Sequence, residues 1–190
     1  MNMPVDRPMQ GDALLVIDVQ NDFLPGGALA VSRGECVIEP INRWMAHFSN
    51  EGLPVFATRD SHPPDHCSFL EQGGPWPSHC IKGSWGADFP DSLQLQPEVR
   101  IVDKPDCRDQ ETYSAFTGTS LDEWLRSADV DHLWVGGLAT DYCVMNTVLD
   151  ALSLEYRVTL LGEAICAVDV EAADGANAIQ RMVAQGVVLR

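Results

Sequence analysis

The chain predicts an α/β fold with a parallel sheet covered on both faces, and three observations carry that prediction. Short apolar runs of strand length alternate with helix-patterned stretches along most of the sequence. The runs are continuously apolar rather than alternating, as in strands buried on both sides. Each is bounded by turn residues and separated from the next by enough chain for a crossover.

Six runs read as strands: Ala13-Leu14-Leu15-Val16-Ile17, Pro54-Val55-Phe56-Ala57-Thr58, Val99-Arg100-Ile101-Val102, His132-Leu133-Trp134-Val135, Arg157-Val158-Thr159-Leu160-Leu161 and Gly186-Val187-Val188-Leu189. Helical patterns fall at about 35–50, 119–128, 141–153 and 171–184, the last with apolar spacing Ala172, Ala176, Ile179, Val183. The stretch from about Ser61 to Gln96 is rich in Pro, Gly and aromatic residues and has no period. Uncommitted loops of that length are rare in compact domains, so something must hold it. No repeat or linker divides the chain, and a single domain over 1–190 is expected, with 1–12 as a loose N-terminal extension.

Composition narrows the partners. The 190 residues carry 28 acidic against 12 basic side chains, a formal charge of -16, which repels phosphate backbones and anionic lipid heads. No nucleic acid and no membrane partner is expected. A small-molecule substrate is, and a homo-oligomer is compatible with the sequence. No run approaches the roughly 18 apolar residues of a spanning helix, and the N-terminus lacks a signal-peptide core, so a cytoplasmic location is expected. Six cysteines make an even number. Without an export signal or a C-x-x-C pair, reduced thiols are expected rather than a disulfide framework.

Ligands of open parallel sheets bind beyond the carboxyl ends of the strands. Asp18 follows the first run, Asp60 the second, Lys104 the third, and the loop Gly136 to Asp141 leads from the fourth to Cys143. An acid, a second acid with histidines, a lysine and a cysteine thus converge on one edge. Thr140 or Asp141 can cap a helix and leave Cys143 in its first turn, where the helix N-terminus lowers a thiol pKa. The free N–H groups of such a turn suit an oxyanion. Asp18 as proton acceptor and Lys104 as ammonium complete a Cys-Asp-Lys acyl-transfer set. Taken singly, Cys143 reads as a small buried core residue, Asp18 as a turn cap and Lys104 as a solvated strand end.

A second cluster is Asp60-Ser61-His62-Pro63-Pro64-Asp65-His66 with His79 downstream. One carboxylate and three imidazoles, Asp60, His62, His66 and His79, suit one divalent metal ion, zinc, iron or manganese. A closed Cys2His2 zinc site from His66-Cys67 and His79-Cys80 is the rival. It is disfavoured because adjacent side chains of extended chain point opposite ways. Metal binding would also order the 61–96 stretch. His47 and His132 read as surface histidines.

The chain resembles the nicotinamidase and pyrazinamidase branch of the isochorismatase-like cysteine hydrolases. The resemblance runs from Leu14 to Leu189 through Ala13-Leu14-Leu15-Val16-Ile17-Asp18-Val19-Gln20-Asn21-Asp22-Phe23, Thr58-Arg59-Asp60-Ser61-His62, Trp76-Pro77-Ser78-His79-Cys80, Tyr113-Ser114-Ala115-Phe116 and Gly136-Gly137-Leu138-Ala139-Thr140-Asp141-Tyr142-Cys143-Val144. It implies a three-layer α/β/α sandwich with a six-stranded, mainly parallel sheet. It also implies hydrolysis of nicotinamide, and of pyrazinamide, with Cys143 as nucleophile, Asp18 as proton carrier and Lys104 supporting the charge. Ala139 and Cys143 are implied as the oxyanion hole after a cis peptide between Leu138 and Ala139. Phe23, Leu29, Trp76, Tyr113 and Tyr142 are implied around the ring, and a single metal, zinc before iron or manganese, at the ring nitrogen. Two departures stand out: Pro105 follows the lysine where many relatives have Gly, opening an unmatched stretch through Gln110, and Tyr142 stands where some relatives have His. Alternatives are an amidohydrolase of the same superfamily acting on a ureido or carbamoyl substrate, or a non-catalytic, metal-stabilised binding protein.

Overall fold

A computed structural model describes residues 7–190. Residues 1–6, part of the expected N-terminal extension, lie outside the described residues. Residue 12 is no extension: it opens the first strand.

Six strands, β1 (Asp12–Ile17), β2 (Val55–Arg59), β3 (Arg100–Asp103), β4 (His132–Leu138), β5 (Arg157–Cys166) and β6 (Val188–Leu189), form one sheet in the order β3-β2-β1-β4-β5-β6. Every neighbouring pair is parallel. The sequence locates each strand. It understates β4 and β5, whose last residues, Gly136 to Leu138 and Gly162 to Cys166, lack the apolar signature.

Four helices, α1 (Ile38–Asn50), α2 (Leu121–Ser127), α3 (Met145–Ser153) and α4 (Asp174–Ala184), cover the sheet. Strand periodicity shows how. In β1, Leu14 and Val16 join the core with Ile41, Met45 and Phe48 of α1. Leu15 and Ile17 join a second core with Leu121 and Leu125 of α2, Val148 of α3 and Met182 of α4. Successive side chains of a strand face opposite ways, so the two cores lie on opposite faces of one sheet. This is the three-layer α/β/α architecture.

At the start of β1 the Asp12 carboxylate accepts from Trp134 Nε1 at 3.0 Å, and its other oxygen lies 3.0 Å from His132 Nδ1. His132, expected at the surface, is therefore mostly buried, with Nε2 2.9 Å from Thr159 Oγ1. Trp134, one of the largest fully buried side chains, needs that acceptor for its N–H.

Near the other end of the sheet Gly137 has φ 129°, and a Cβ there would meet the Ile17 carbonyl oxygen at 2.1 Å. Only glycine lets β4 pass β1 this closely.

The 61–96 stretch holds short turns and two isolated bridges, His62 with Ile81 and Phe69 with Trp76. Much of its anchorage comes from three consecutive side chains after β1. Gln20 Nε2 donates to Ala87 O, Asn21 Nδ2 donates to Trp85 O (2.8 Å each), and Asp22 Oδ2 accepts from Cys80 N at 2.7 Å. Protein hydrogen bonds thus fix a segment for which the sequence suggested only a metal. No helix among the described residues is long and apolar enough to cross a membrane.

Candidate active site

The sheet order reverses between β1 and β4, since the chain moves outward through β2 and β3 on one side and through β5 and β6 on the other. A crevice opens at such a switch point beyond the carboxyl ends of the strands. Asp18 directly follows β1, Asp60 follows β2, Lys104 follows β3, and Cys143 sits in the turn that leaves β4. The strand-end convergence expected from the sequence is present.

All four side chains are buried. Lys104 Nζ lies 2.5 Å from Asp18 Oδ2, 2.9 Å from Asp60 Oδ1 and 3.2 Å from Cys143 Sγ. One ammonium therefore joins two carboxylates and a thiol. Asp18 is in the left-handed backbone region with φ 46°, which aspartate tolerates better than most residues. Thr58 fixes it there: its hydroxyl donates to Asp18 Oδ1 at 2.5 Å and accepts from Asp18 N at 3.1 Å. Gln20 holds Asp60 the same way, accepting from its N–H and donating to its carbonyl, each at 2.8 Å.

Burial disfavours the Asp18 carboxylate most strongly, and although Lys104 opposes this, its pKa stays above the usual carboxylate value. Burial acts on Asp60 too, but Lys104 and His62 prevail and hold it ionised. Burial works against the Lys104 ammonium, and Asp18, Asp60 and Cys143 together overcome it, keeping the lysine charged. The Cys143 thiol is pushed well above its usual value by burial, with Lys104 pulling down and Asp18 and Asp60 pushing up. This corrects the expectation of a thiol acidified by a helix end. Burial thus favours the protonated form of the Cys143 thiol and raises the proton affinity of the Asp18 carboxylate beside it.

A cis peptide joins Leu138 and Ala139, as the resemblance implied, and Thr140–Val144 form a π-type turn ahead of α3. Neither Thr140 nor Asp141 caps it. Asp141 instead accepts from Val168 N at 3.0 Å and Asp169 N at 2.9 Å, tying the segment after β5 to the turn that carries Cys143.

Asp60, His62 and His79 offer ligand atoms within 4.8 Å of one another. Both ring nitrogens of His62 are buried without a hydrogen-bond partner. His79 Nδ1 lies 2.8 Å from Pro77 O, so it carries the proton and leaves Nε2 as a lone-pair donor. Burial lowers the His79 pKa, keeping the ring neutral. Orphaned buried imidazole nitrogens, a neutral imidazole and an ionised carboxylate fit a divalent cation.

His66 stands outside the set. Its ring stacks on His62 with centroids 4.2 Å apart, but Nδ1 lies 2.7 Å from Ser68 Oγ and Nε2 3.1 Å from Gln110 O. Both nitrogens are satisfied by protein, so the expected four-ligand set narrows to three. Neither Cys67 nor Cys80 joins a ligand cluster among the described residues, and all six cysteines are free.

Phe23, Leu29, Trp76, Tyr113 and Tyr142, the five expected ring contacts, line one cleft with Asp60, His79, Ala139 and Cys143. Trp76 Nε1 donates to Tyr113 OH at 3.2 Å, and Trp76 meets Tyr142 edge-on at 5.1 Å between centroids. Burial raises the Tyr113 pKa to about 12, so the phenol stays neutral. The cleft is an aromatic slot lined also by the Cys143 thiol and the His79 ring. The sequence reading missed Val168 and Glu111, which also line it. Glu111 lies two residues before Tyr113, just past the stretch that follows Lys104 without a recognisable pattern.

The isochorismatase domain profile matches residues 12–190. The chain belongs to the isochorismatase family. Within that family it is 38% identical to the nicotinamidase of Escherichia coli, over 93% of each chain. This isochorismatase-family chain also superposes on the zinc-bound pyrazinamidase of Pyrococcus horikoshii with a TM-score of 0.90 and 39% identity, covering 95% of this chain and 98% of that one. A structure of PnC1 from L. infantum in complex with nicotinate matches with a TM-score of 0.88 and 35% identity, covering 95% and 92%.

Proposed function

We propose that this chain is a nicotinamidase, hydrolysing a pyridine carboxamide, with pyrazinamide as a second substrate, through a thioester on Cys143. The observation that carries the reading is the buried Lys104 ammonium in contact with Asp18, Asp60 and Cys143, the last two of which line an aromatic slot.

The chemistry follows from the protonation pattern. Asp18, whose affinity for protons is raised, takes the thiol proton as Sγ attacks the carboxamide carbon. Lys104 stays charged throughout and offsets the negative charge that moves between Sγ and the carboxylate. The C=O electrons pass onto oxygen, where the N–H groups of Ala139 and Cys143 are suited to receive them. When the tetrahedral adduct collapses, the C–N bond breaks and Asp18 returns its proton to the departing ammonia. A water, deprotonated by Asp18, then attacks the thioester. The C–S bond breaks, the acid is released and the thiol is restored.

Asp60, His62 and His79 would hold a divalent ion, zinc first, which when bound supplies a Lewis-acid partner for a ring nitrogen. Phe23 and Trp76 wall the ring.

The test is ammonia release from nicotinamide, compared with a ureido and a carbamoyl amide of similar size. Turnover of nicotinamide and pyrazinamide well above that of both others is the expected result. Preference for a ureido substrate would replace the ring-specific reading with the broader amidohydrolase one.

A further inference from the structure

Glu111 lines the cleft with Phe23, Trp76, His79 and Tyr113, yet it has no part in the hydrolytic chemistry. Its carboxylate accepts one hydrogen bond, from the N–H of its own neighbour Thr112 at 3.0 Å, and it forms no ion pair with any described residue. Lys104, the cationic side chain closest to the chemistry, is committed to Asp18, Asp60 and Cys143. The charge of Glu111 is felt inside the cleft, on His79 and on Tyr113.

The chain leading to Glu111 is also held in place. The residue before it, Gln110, has its carbonyl 3.1 Å from His66 Nε2. Cys67 N donates to Arg108 O at 2.8 Å, and the Arg108 guanidinium pairs with Asp65 at 2.8 Å. The loop that leaves Lys104 is thereby fastened to the histidine-bearing loop, with Glu111 just beyond the fastening. This gives His66 a role in place of the ligation it does not perform.

We propose that Glu111 is a specificity determinant that sets the charge preference of the cleft, admitting neutral or cationic ring amides and disfavouring anionic ligands, the carboxylate product among them. The inference rests on the amide-hydrolase reading, in which a neutral substrate becomes an anion inside the cleft. A fixed negative charge near the ring weakens product binding without an equal effect on the amide. It also selects against rings bearing an acidic substituent. Because the group is half-buried, solvent salt screens part of the effect.

The test is calorimetric binding of nicotinamide and of nicotinate to the full chain as purified. A Cys143→Ala background stops turnover, and Glu111 is compared with Glu111→Gln and Glu111→Arg. The readout is the ratio of the two dissociation constants, in which any bound ion common to the three proteins cancels. The ratio should move toward nicotinate by roughly fivefold in Glu111→Gln, further in Glu111→Arg, and less at high salt. A ratio that stays the same in all three proteins overturns the role of Glu111 while leaving the amidase reading intact. Failure of both ligands to bind any of the proteins overturns both.

Discussion

At the scale of single residues, Lys104 is the pivot, because it alone separates two buried carboxylates. Removing one member of a buried ion cluster leaves uncompensated charge, at a cost of about 3–5 kcal/mol. Lys104→Met should therefore lose about that much stability near neutral pH, measured by denaturant unfolding. The pH dependence has a definite sign. Asp60 is lowered in the folded protein, so its contribution is present above the ordinary carboxylate pKa of 3.8 and is lost as pH falls below it. Without the lysine, burial raises Asp60 as well and raises Asp18 further, and the variant loses stability as pH rises through 3.8 and beyond. The gap between the two proteins should thus widen from acid to neutral pH; a constant gap would mean that Lys104 acts through packing alone. The convergence of Asp18, Lys104 and Cys143 was legible because the first two stand just beyond apolar runs and the third follows the loop that leaves the fourth run. The raised proton affinity of the Cys143 thiol was not, since its burial arises from the fold as a whole and not from its local turn. The surroundings of His66 were not legible for a related reason: Ser68 lies two positions away but Gln110 lies 44 away, and only the fold brings both to its ring nitrogens. Zinc content should accordingly persist in His66→Ala and fall in His62→Ala and His79→Ala, by elemental analysis. Loss of metal in His66→Ala would restore the four-ligand set.

At the scale of elements, the site depends on two strands meeting without side chains between them. Gly137→Ala places a Cβ against the Ile17 carbonyl and forces a side chain into a positive-φ conformation. It should destabilise the fold by about 2 kcal/mol or more and reduce activity further than stability alone explains, because β1 carries Asp18 and β4 leads to Cys143. Unchanged unfolding midpoints would show that β4 can move aside. Asp141 is the other element-scale joint. Removing its carboxylate frees the N–H groups of Val168 and Asp169, at a cost of about 1–3 kcal/mol. Asp141→Ala should raise KM more than it lowers kcat, since Val168 lines the cleft and the reacting groups are held elsewhere. Strands were the most readable elements, because burial on both faces writes itself as an unbroken apolar run. The 61–96 stretch was the least readable, because Gln20, Asn21 and Asp22 fasten it from forty or more residues away.

At the scale of the whole molecule, two cores on opposite faces of a parallel sheet leave the carboxyl edge to function, and the reversal of strand order decides where the crevice opens. Everything the proposed reaction requires sits within that crevice. An ion held by Asp60, His62 and His79 would link metal affinity to global stability, contributing about 2.7 kcal/mol at one hundred times its dissociation constant. Chelation should lower the unfolding temperature, and zinc should restore it. The charge of -16, by contrast, concerns partners rather than fold, and it shapes the cleft only where a single carboxylate such as Glu111 faces inward. The most direct test of the central claim is ammonia release from nicotinamide by Cys143→Ala, with near-ultraviolet circular dichroism confirming its native packing. The buried cluster predicts that a correctly folded Cys143→Ala protein binds nicotinamide and releases no ammonia above the uncatalysed rate; sustained turnover by that variant would contradict a thioester mechanism outright.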